Sequence, residues 1–461
     1  MNQKQENRPT FAEVLSDFVY NLHFENLGNK IIEHAKMCLL DLLGSAIAGY
    51  NHDYVKGLLK IAKEAGGTKE STIIGFKKRV PSLWATLVNG AMAHVCETDD
   101  GHKGGKIHPG ATVIPAALAL AESLGCGGKE LIEAIIVGYE IGCRAAEAVG
   151  PEHYQLWHTT ATCGTFGAAA ACSKLLNLNR SQCADALGNS GSQAAGLWQF
   201  NEEGAMTKIL HTAKAGFNGL LAALAAENGF TGPHRIFEGE KGFLKAMAKN
   251  PRPDKLISGL GKNFKILENT FKIDASCGHT HTSIDALLKA IKKYHLTPED
   301  IIEIKVNTYR TAIDIAGNLN PQSPYEAKFS IPYCLAIILT YGSADKNKFT
   351  PEILFDKKIR SLMEKIKLSV NPLLDRLEPD HPKSRSSRLE ISAKKGKWIE
   401  ESFSRKGNPD NPLSPDEIKE KFTHLVEDIM PQPKISDLIY TVQNLEQLGD
   451  ISVLLTKTYP S

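Results

Sequence analysis

Three segments of the sequence bring together residues that could transfer protons or bind carboxylates. The first segment spans positions 97–110, and its carboxylates and histidines lie among glycines that free the backbone to fold around a ligand: Glu97, Asp99, Asp100, His102 and His108. A carboxylate beside an imidazole sets the protonation state of that imidazole, as a general base requires. The segment would equally suit a solvated loop, and both interpretations stay open for this segment alone.

The second group of candidates consists of His158 and of Lys208 with His211. Lys208 and His211 are three residues apart in a predicted helix, so their side chains share one face of that helix. Together they could bind two carboxylates of one substrate. Taken alone, the pair is better explained as a surface lysine beside a partly buried histidine.

The third segment runs from Lys272 to His281, close to a predicted domain boundary, where ligand sites are common. Cysteine and histidine are good zinc ligands. One alternative is therefore a metal site built from Cys277, His279, His281 and a carboxylate of the first segment. The spacing matches no structural zinc pattern, however, so we predict a site without a metal ion.

Helices must position the first two segments. Apolar residues recur at helical spacing from about residue 10 to 265, and this pattern predicts helices at 29–49, 84–95, 112–124, 129–148 and 206–228. The first segment then ends where a helix begins, and the free N–H groups of that helix suit a carboxylate. Helices 112–124 and 129–148 are apolar on nearly every side, which indicates that neighbouring helices or a partner subunit cover them.

The pattern changes in the last third of the chain. Alternation with a period of two predicts strands at 302–308, 388–393 and 398–403, accompanied by helices at 281–295 and 326–341. Further on, Ser414 to Glu417 forms a capping box that starts another helix. The predicted fold is mainly α, with a large all-helical domain (1–267 and 403–461) and an inserted, smaller α+β lid domain at 268–402.

Composition narrows the class of protein. The 461 residues include 54 Lys and Arg and 52 Asp and Glu, which leaves a net charge of +2. This balance does not indicate the strongly basic surface that binds nucleic acid or an anionic membrane. The sequence has no apolar stretch of the roughly 18 to 20 residues that a membrane span needs, and no signal-peptide pattern at its start. The nine cysteines form no C-x-x-C pair, which is typical of reduced, buried thiols in a cytoplasmic protein.

Six motifs occur in one order along nearly the whole chain. They are E-T-D-D-G-H…H-P-G-A-T-V-I-P from Glu97, His158 before G-T-F-G-A-A-A-A, M-T-K-I-L-H-T-A-K-A-G-F-N-G around Lys208, G-F-T-G-P-H-R-I-F-E-G-E-K-G-F, K-x4-C-x3-H-x3-D-A from Lys272, and F-S-I-P-Y-C-L-A around Tyr333. In this order they resemble the MmgE/PrpD family. The resemblance implies a homodimer and an active site between helical domain and lid, with no metal ion or organic cofactor.

The resemblance, read together with the three segments, gives a set of site residues. The candidate catalytic residues are His108, Asp99, Asp100, His158, Tyr333 and Cys277, and the candidate substrate-binding residues are Glu97, Lys208, Lys272, His211 and His281. We expect His108, supported by Asp99 or Asp100, to carry one proton transfer. His158 or Tyr333 is the candidate for the other. The lysines would stabilise negative charge that gathers beside a substrate carboxylate.

Three departures from the family's cis-aconitate decarboxylases count against decarboxylation. Cys277 stands where those enzymes carry a histidine, Gly101 stands where they carry a threonine, and the loop between Asp100 and His108 is one residue longer. As a thiolate Cys277 could act as the base of an epimerase, and as a thiol it would line the pocket. We expect dehydration of a 2-methylcitrate-like di- or tricarboxylic hydroxy acid. The alternatives are epimerisation of a dicarboxylate such as iminodisuccinate, decarboxylation of cis-aconitate, and carboxylate binding without catalysis.

Overall fold

In the computed structural model, which describes residues 8–377, 381, 383 and 385–460, the N-terminal half of the chain is helical. Helices predicted from apolar spacing are confirmed, with bounds that differ by no more than two residues from the predicted ones. The helices are α1 (Phe11–Asn21), α2 (Asn29–Gly49), α3 (Asp53–Glu64), α4 (Ser82–Val95), α5 (Gly110–Leu124), α6 (Gly128–Ala148), α7 (Thr159–Leu175), α8 (Arg180–Ser192), α9 (Gln199–Glu203), α10 (Thr207–Glu227) and α11 (Phe243–Met247).

Helices α5, α6 and α7 form the centre of this helical part and are covered by the chain itself. Every residue of α7 is buried, and α7 packs closely on α6. The close approach depends on small residues, since a Cβ added at Gly167 would lie 2.7 Å from the carbonyl oxygen of Gly138. The all-round apolar character of these helices therefore needs no partner subunit to explain it. The homodimer itself stays a prediction.

The α+β part is built on a four-stranded sheet in the order β6-β5-β7-β8. Strands β5 and β6 are parallel, whereas β5 pairs with β7 and β7 with β8 in antiparallel fashion. The three predicted strands are confirmed, and β6 was not predicted because only its first residue is buried, which leaves no alternation to detect. The strands are β5 (Ile301–Thr308), β6 (Ile366–Val370), β7 (Ser387–Ala393) and β8 (Gly396–Ser402).

Short helices surround this sheet. The helix predicted at 326–341 is in fact two, because Ser330 caps a new helix and Pro332 cannot continue the preceding one. The helices are α12 (His281–Tyr294), α13 (Arg310–Ala316), α14 (Pro324–Ala327), α15 (Ile331–Tyr341), α16 (Pro351–Leu354), α17 (Lys357–Glu364) and α18 (Pro372–Asp375).

The buried apolar side chains fall into two clusters. One cluster draws on α1 to α8, α10 and α11 and on the last helices, α19 (Pro415–Val426), α20 (Gln432–Gln443) and α21 (Ser452–Thr456). It also takes in four residues of the predicted lid range: Phe271, Cys277, Tyr325 and Phe329. The other is confined to residues 275–398. The capping box at Ser414 is confirmed, and α19 packs on α2, with Phe422 beside Gly44. The domain limits at 267 and 402 stay a prediction, which the two clusters favour.

None of the helices in the described part of the chain combines the length and apolar character that a membrane crossing needs.

Candidate active site

A pair of two-residue strands brings the first and third segments together. β3 (Gly101–His102) lies within the first segment and pairs antiparallel with β4 (Asn269–Thr270) just before the third. A second short pair, β1 (Ser71–Thr72) with β2 (Arg79–Val80), lies elsewhere on the helical part. At the start of the first segment Glu97 adopts a φ of 59°, which turns the chain sharply out of α4. The result is that Glu97 faces the side chain of Lys272.

Glu97 lies between two buried lysines. Lys208 forms an ion pair with Glu97 Oε1, and Lys272 Nζ lies 3.0 Å from Glu97 Oε2 and 3.1 Å from its carbonyl oxygen. Burial alone would raise the pKa of Glu97, but the two ammonium groups hold it well below its usual value. Burial alone would likewise lower the pKa of Lys272, which its neighbouring carboxylates raise instead. Glu97 therefore fixes two charged lysines at one point.

The main chain determines the tautomer of His108. Its Nδ1 lies 2.6 Å from the carbonyl oxygen of Asp100, and because a carbonyl only accepts, Nδ1 must carry the proton. Nε2 is then the basic nitrogen. Burial lowers the pKa of His108 to about 4, so the ring is neutral at pH 7. A neutral imidazole with a free Nε2 lone pair is what a general base requires.

Asp99 supports His108 from the side and holds a second histidine that the sequence did not single out. Asp99 Oδ2 lies 3.4 Å from His108 Nδ1 and 2.7 Å from Nδ1 of His94, which belongs to the last turn of α4. The other nitrogen of His94 lies 3.7 Å from Glu97 Oε1. Burial would raise the pKa of Asp99, but the two rings hold it well below its usual value. His94 thus links the His108 pair to the lysine cluster.

Two groups of side chains in the described part of the chain are close enough to hold a metal ion. They are His94 with Asp99 and His108, and His102 with Glu147 and Glu268. In the first group His108 Nδ1 is a hydrogen-bond donor and is not free to ligate. In the second, Lys265 forms ion pairs with both carboxylates. Neither group includes Cys277, His279 or His281, the set that the sequence had offered as an alternative.

Three predicted residues lie away from the cavity described below. Asp100 accepts hydrogen bonds from the Gly110 N–H, the Tyr139 hydroxyl and the Asn269 amide. Its carboxylate therefore anchors the loop at 97–108 to the helical part. Tyr333 donates its hydroxyl to the Lys348 carbonyl at 2.6 Å within the lid. The ring of His281 is buried with Nε2 3.3 Å from the carbonyl of Ser276. These contacts give each of the three residues a structural role, and their predicted catalytic or substrate-binding roles stay predictions.

His158 and His211 form a pair beside the cavity wall. Their Nδ1 atoms lie 3.3 Å apart, so one ring donates to the other. The His158 ring packs edge-on against Trp198, a residue of the cavity lining. Burial lowers the pKa of His158 well below its usual value and that of His211 to about 4. Both rings are therefore neutral at pH 7 and lie one layer behind the surface that a ligand would touch.

A small inner chamber lies between the loop at 97–108 and the lid, with a free volume of about 40 Å³. It opens into a larger vestibule of about 670 Å³, and the two share Lys106, Tyr154, Trp198, His279 and Arg385. Five of the predicted residues line the chamber: Glu97, His108, Lys208, Lys272 and Cys277. Burial raises the pKa of the Cys277 thiol, so this residue is a thiol at neutral pH.

The chamber also contains polar residues that sequence reasoning missed as site residues. They are Lys106, Tyr154, Arg385 and Arg405, together with His102, which was named only as a member of the first segment, and His279, which had been weighed only as a metal ligand. Tyr154, Arg385 and Arg405 come from distant parts of the chain and form no spaced motif, so only the fold brings them together. Burial lowers the pKa of Lys106 to about 8, and burial raises that of Tyr154. His279 Nδ1 lies 2.5 Å from the Tyr309 hydroxyl.

Comparison with known proteins identifies the family. Residues 13–256 match the MmgE/PrpD N-terminal domain, and residues 275–447 match the MmgE/PrpD C-terminal domain. The chain is 26% identical to the cis-aconitate decarboxylase-like protein oryM of Aspergillus oryzae, over 96% of this chain and 95% of that one. It is 28% identical to mouse cis-aconitate decarboxylase (96% and 92%) and 23% identical to 2-methylcitrate dehydratase of Salmonella typhimurium (79% of each).

A mainly helical fold with an acid–base chamber at its lid, matched by both family domains, defines the class of protein. The chain belongs to the MmgE/PrpD family. Decarboxylases and dehydratases are among its relatives, and it is an enzyme of this lyase type.

Proposed function

We propose that this enzyme acts on an aconitate- or citrate-like tricarboxylate and transfers a proton at a carbon next to a carboxylate. One observation carries the proposal. Five cationic side chains line the inner chamber (Lys106, Lys208, Lys272, Arg385 and Arg405), against the single carboxylate of Glu97. Buried cations in such excess favour a ligand with several negative charges. The chamber alone has room for about three water molecules, so a tricarboxylate would also occupy the vestibule or widen the chamber.

The chemistry follows from the problem that such a substrate poses. Breaking a bond beside a carboxylate leaves an electron pair that must be stabilised by fixed positive charge. Lys208 and Lys272 lie where they can supply this charge, and Glu97 holds them in place. Nε2 of His108 can accept a proton from carbon, and in its protonated form it can return one.

Within this class we favour loss of carbon dioxide from a cis-aconitate-like substrate, in place of the dehydration expected from the sequence. The relatives named for cis-aconitate decarboxylase align over 94–97% of this chain, whereas those named for 2-methylcitrate dehydratase align over 78–79%. In this step the C–CO2⁻ bond breaks, its electron pair moves into the conjugated system, and one proton is added to carbon. The products are carbon dioxide and an unsaturated dicarboxylate.

Dehydration of a 2-methylcitrate-like acid is the second candidate, because the chamber holds proton donors as well as a base. The buried Tyr154 hydroxyl stays protonated, and Lys106, with a pKa of about 8, is mostly protonated at pH 7. Either could protonate a leaving hydroxide while His108 removes a proton from the adjacent carbon. Epimerisation with Cys277 as base has less support, since burial keeps this residue a thiol.

The test is a panel assay followed by proton NMR in deuterium oxide. The enzyme is incubated separately with cis-aconitate, 2-methylcitrate, citrate and iminodisuccinate. We expect cis-aconitate to lose carbon dioxide, with deuterium on the product; loss of water from 2-methylcitrate would favour the second candidate. Exchange without net conversion would indicate epimerisation. If none of the four compounds reacts, the proposed substrate class is wrong.

A chelator control belongs to the same assay. We expect no change in rate after dialysis against EDTA, because the His108 nitrogen nearest Asp99 is a donor in the structure. Activity that chelation abolishes and zinc restores would contradict catalysis by these acid and base side chains alone.

A further inference from the structure

Arg405 occupies an unusual position in the chamber wall. It follows β8, in the segment by which the chain leaves the lid and returns to the helical part, and it is only 6% exposed. It lines the inner chamber beside Gly278. The side chain therefore combines a buried guanidinium with a place at the contact between the two parts of the molecule.

The guanidinium group is held by two neutral partners. Nε donates to the Asn408 side-chain oxygen at 3.0 Å, and Nη2 donates to the Thr270 hydroxyl at 2.5 Å. Thr270 in turn donates to the carbonyl of Gly101, so Arg405 is fixed against the loop that carries His108. These contacts orient the group without neutralising its charge.

The third nitrogen, Nη1, is buried and has no hydrogen-bond acceptor among the described residues. Burial of a charged donor without a partner is costly, so such a group is expected where a ligand supplies the acceptor. Nη1 lies on the side of Gly278, where a Cβ would stand 3.0 Å from it. The guanidinium stays charged at neutral pH, since burial lowers the pKa of Arg405 only to about 10.

We infer that Arg405 is a specificity-determining residue that binds the third carboxylate of the substrate through Nη1. The inference rests on the proposed function, which it makes more specific. Lys208 and Lys272 are already paired with Glu97, and Lys106 and Arg385 are shared with the vestibule. Arg405 then sets the preference for three carboxylates over two. Gly278 keeps the approach to Nη1 open.

Binding of two unreactive ligands tests this assignment. Tricarballylate has three carboxylates, and glutarate is the same chain without the central one. Their dissociation constants are measured by titration calorimetry for the wild type and for R405M. Because a charged hydrogen bond is lost, we expect R405M to bind tricarballylate about 10- to 100-fold more weakly. Glutarate binding should change less than about threefold by the same reasoning.

Two further variants separate ligand binding from a structural role. G278A keeps the guanidinium but places a methyl group against Nη1. The flexible end of the arginine side chain can shift away from this methyl group, so G278A should weaken the binding of tricarballylate selectively. R388Q, which removes a partly exposed arginine of β7, is the matched control. It should change the dissociation constant of neither ligand. If R405M weakens both ligands equally, or neither, the assignment is wrong.

The binding measurements do not depend on whether the enzyme turns over any compound of the panel. If wild type binds tricarballylate and R405M loses the preference while no panel compound reacts, the proposed function fails and the assignment of Arg405 stands. If a panel compound reacts but R405M keeps the preference, the assignment alone fails. If the wild type binds neither ligand, the assignment of Arg405 fails, and the panel assay alone decides the proposed function.

Discussion

At the scale of single residues, the tautomer and orientation of the His108 ring depend on a main-chain carbonyl as much as on an acidic side chain. The sequence predicted support from Asp99 or Asp100. The structure gives both residues a part, but Asp100 contributes its carbonyl oxygen to the histidine and its carboxylate to Gly110, Tyr139 and Asn269. Which group of a residue faces a site depends on the loop conformation, and spacing alone does not determine it.

The two tyrosines give a prediction at this scale. Tyr154→Phe should lower kcat by about 100- to 1000-fold if its hydroxyl is the proton donor of a dehydration. Tyr333→Phe should leave kcat within about threefold and lower the free energy of unfolding by about 1 kcal/mol, because it loses only the hydrogen bond to Lys348. Steady-state kinetics and urea unfolding measure both effects. A loss of turnover in Tyr333→Phe alone would restore the role that the sequence predicted for it.

At the scale of elements, helices and strands contact the loop at 97–108 from three sides. The end of α4 places Glu97, pairing of β3 with β4 places Lys272, and the start of α5 binds Asp100. Gly110 is essential to the last contact, since a Cβ there would lie 2.7 Å from both Asp100 Oδ1 and the Tyr139 hydroxyl.

Gly110→Ala should therefore displace the loop. We expect the free energy of unfolding to fall by about 1–3 kcal/mol from overpacking, and kcat/KM to fall at least tenfold because the Asp100 carbonyl and His108 move together. Gly57→Ala is the matched control, because its Cβ would meet open space on an exposed helix. It should be neutral or slightly stabilising. Equal effects in the two variants would show that the loop does not depend on Gly110.

The sequence predicted the elements better than the site. Apolar spacing is a local signal, and it located helices such as α2 and strands such as β5 closely. The motifs located Glu97, His108, Lys208, Lys272 and Cys277, which do line the chamber. Arg385, Arg405 and Tyr154 could not be found in this way, because only tertiary packing brings isolated residues of distant segments to one wall.

At the scale of the whole molecule, buried histidines dominate the expected response to acid. Burial lowers the pKa of five histidines to about 4 (His34, His52, His108, His153 and His211) and holds that of three more well below the usual value (His158, His279 and His281). Burial raises the pKa of six carboxyl groups: Asp41, Asp100, Asp274, Asp285, Glu140 and Glu238. Between about pH 4 and 6.5 the unfolded chain takes up protons on these histidines that the folded chain does not.

Stability should therefore rise with pH across this window, since the eight histidines outnumber the six carboxyl groups with a raised pKa, which act in the opposite direction. We expect the urea midpoint at about pH 5 to lie clearly below that at about pH 7. Circular dichroism at both pH values measures it. An equal or higher midpoint at the lower pH would mean that these histidines are not held neutral in the fold.

The predicted homodimer has a candidate surface on α10. Met206, Leu210 and Leu221 are exposed on one face of this helix, next to the partly buried Phe217 and Trp84. We propose that this face is buried in the dimer. Leu221→Glu should then give a monomer by sedimentation equilibrium, whereas Ile399→Glu, at an exposed apolar residue of β8, should not. A monomeric wild type would contradict the dimer.

The central claim is that neutral His108 transfers the proton in a chamber built for a tricarboxylate. The most direct test follows deuterium incorporation in deuterium oxide with the panel compound that the wild type converts, for wild type and His108→Asn. Asparagine retains a donor toward the Asp100 carbonyl but has no basic nitrogen. We predict a rate about 100- to 10,000-fold lower in the variant with an unchanged fold. A variant that incorporates deuterium within about tenfold of the wild-type rate would contradict this role of His108.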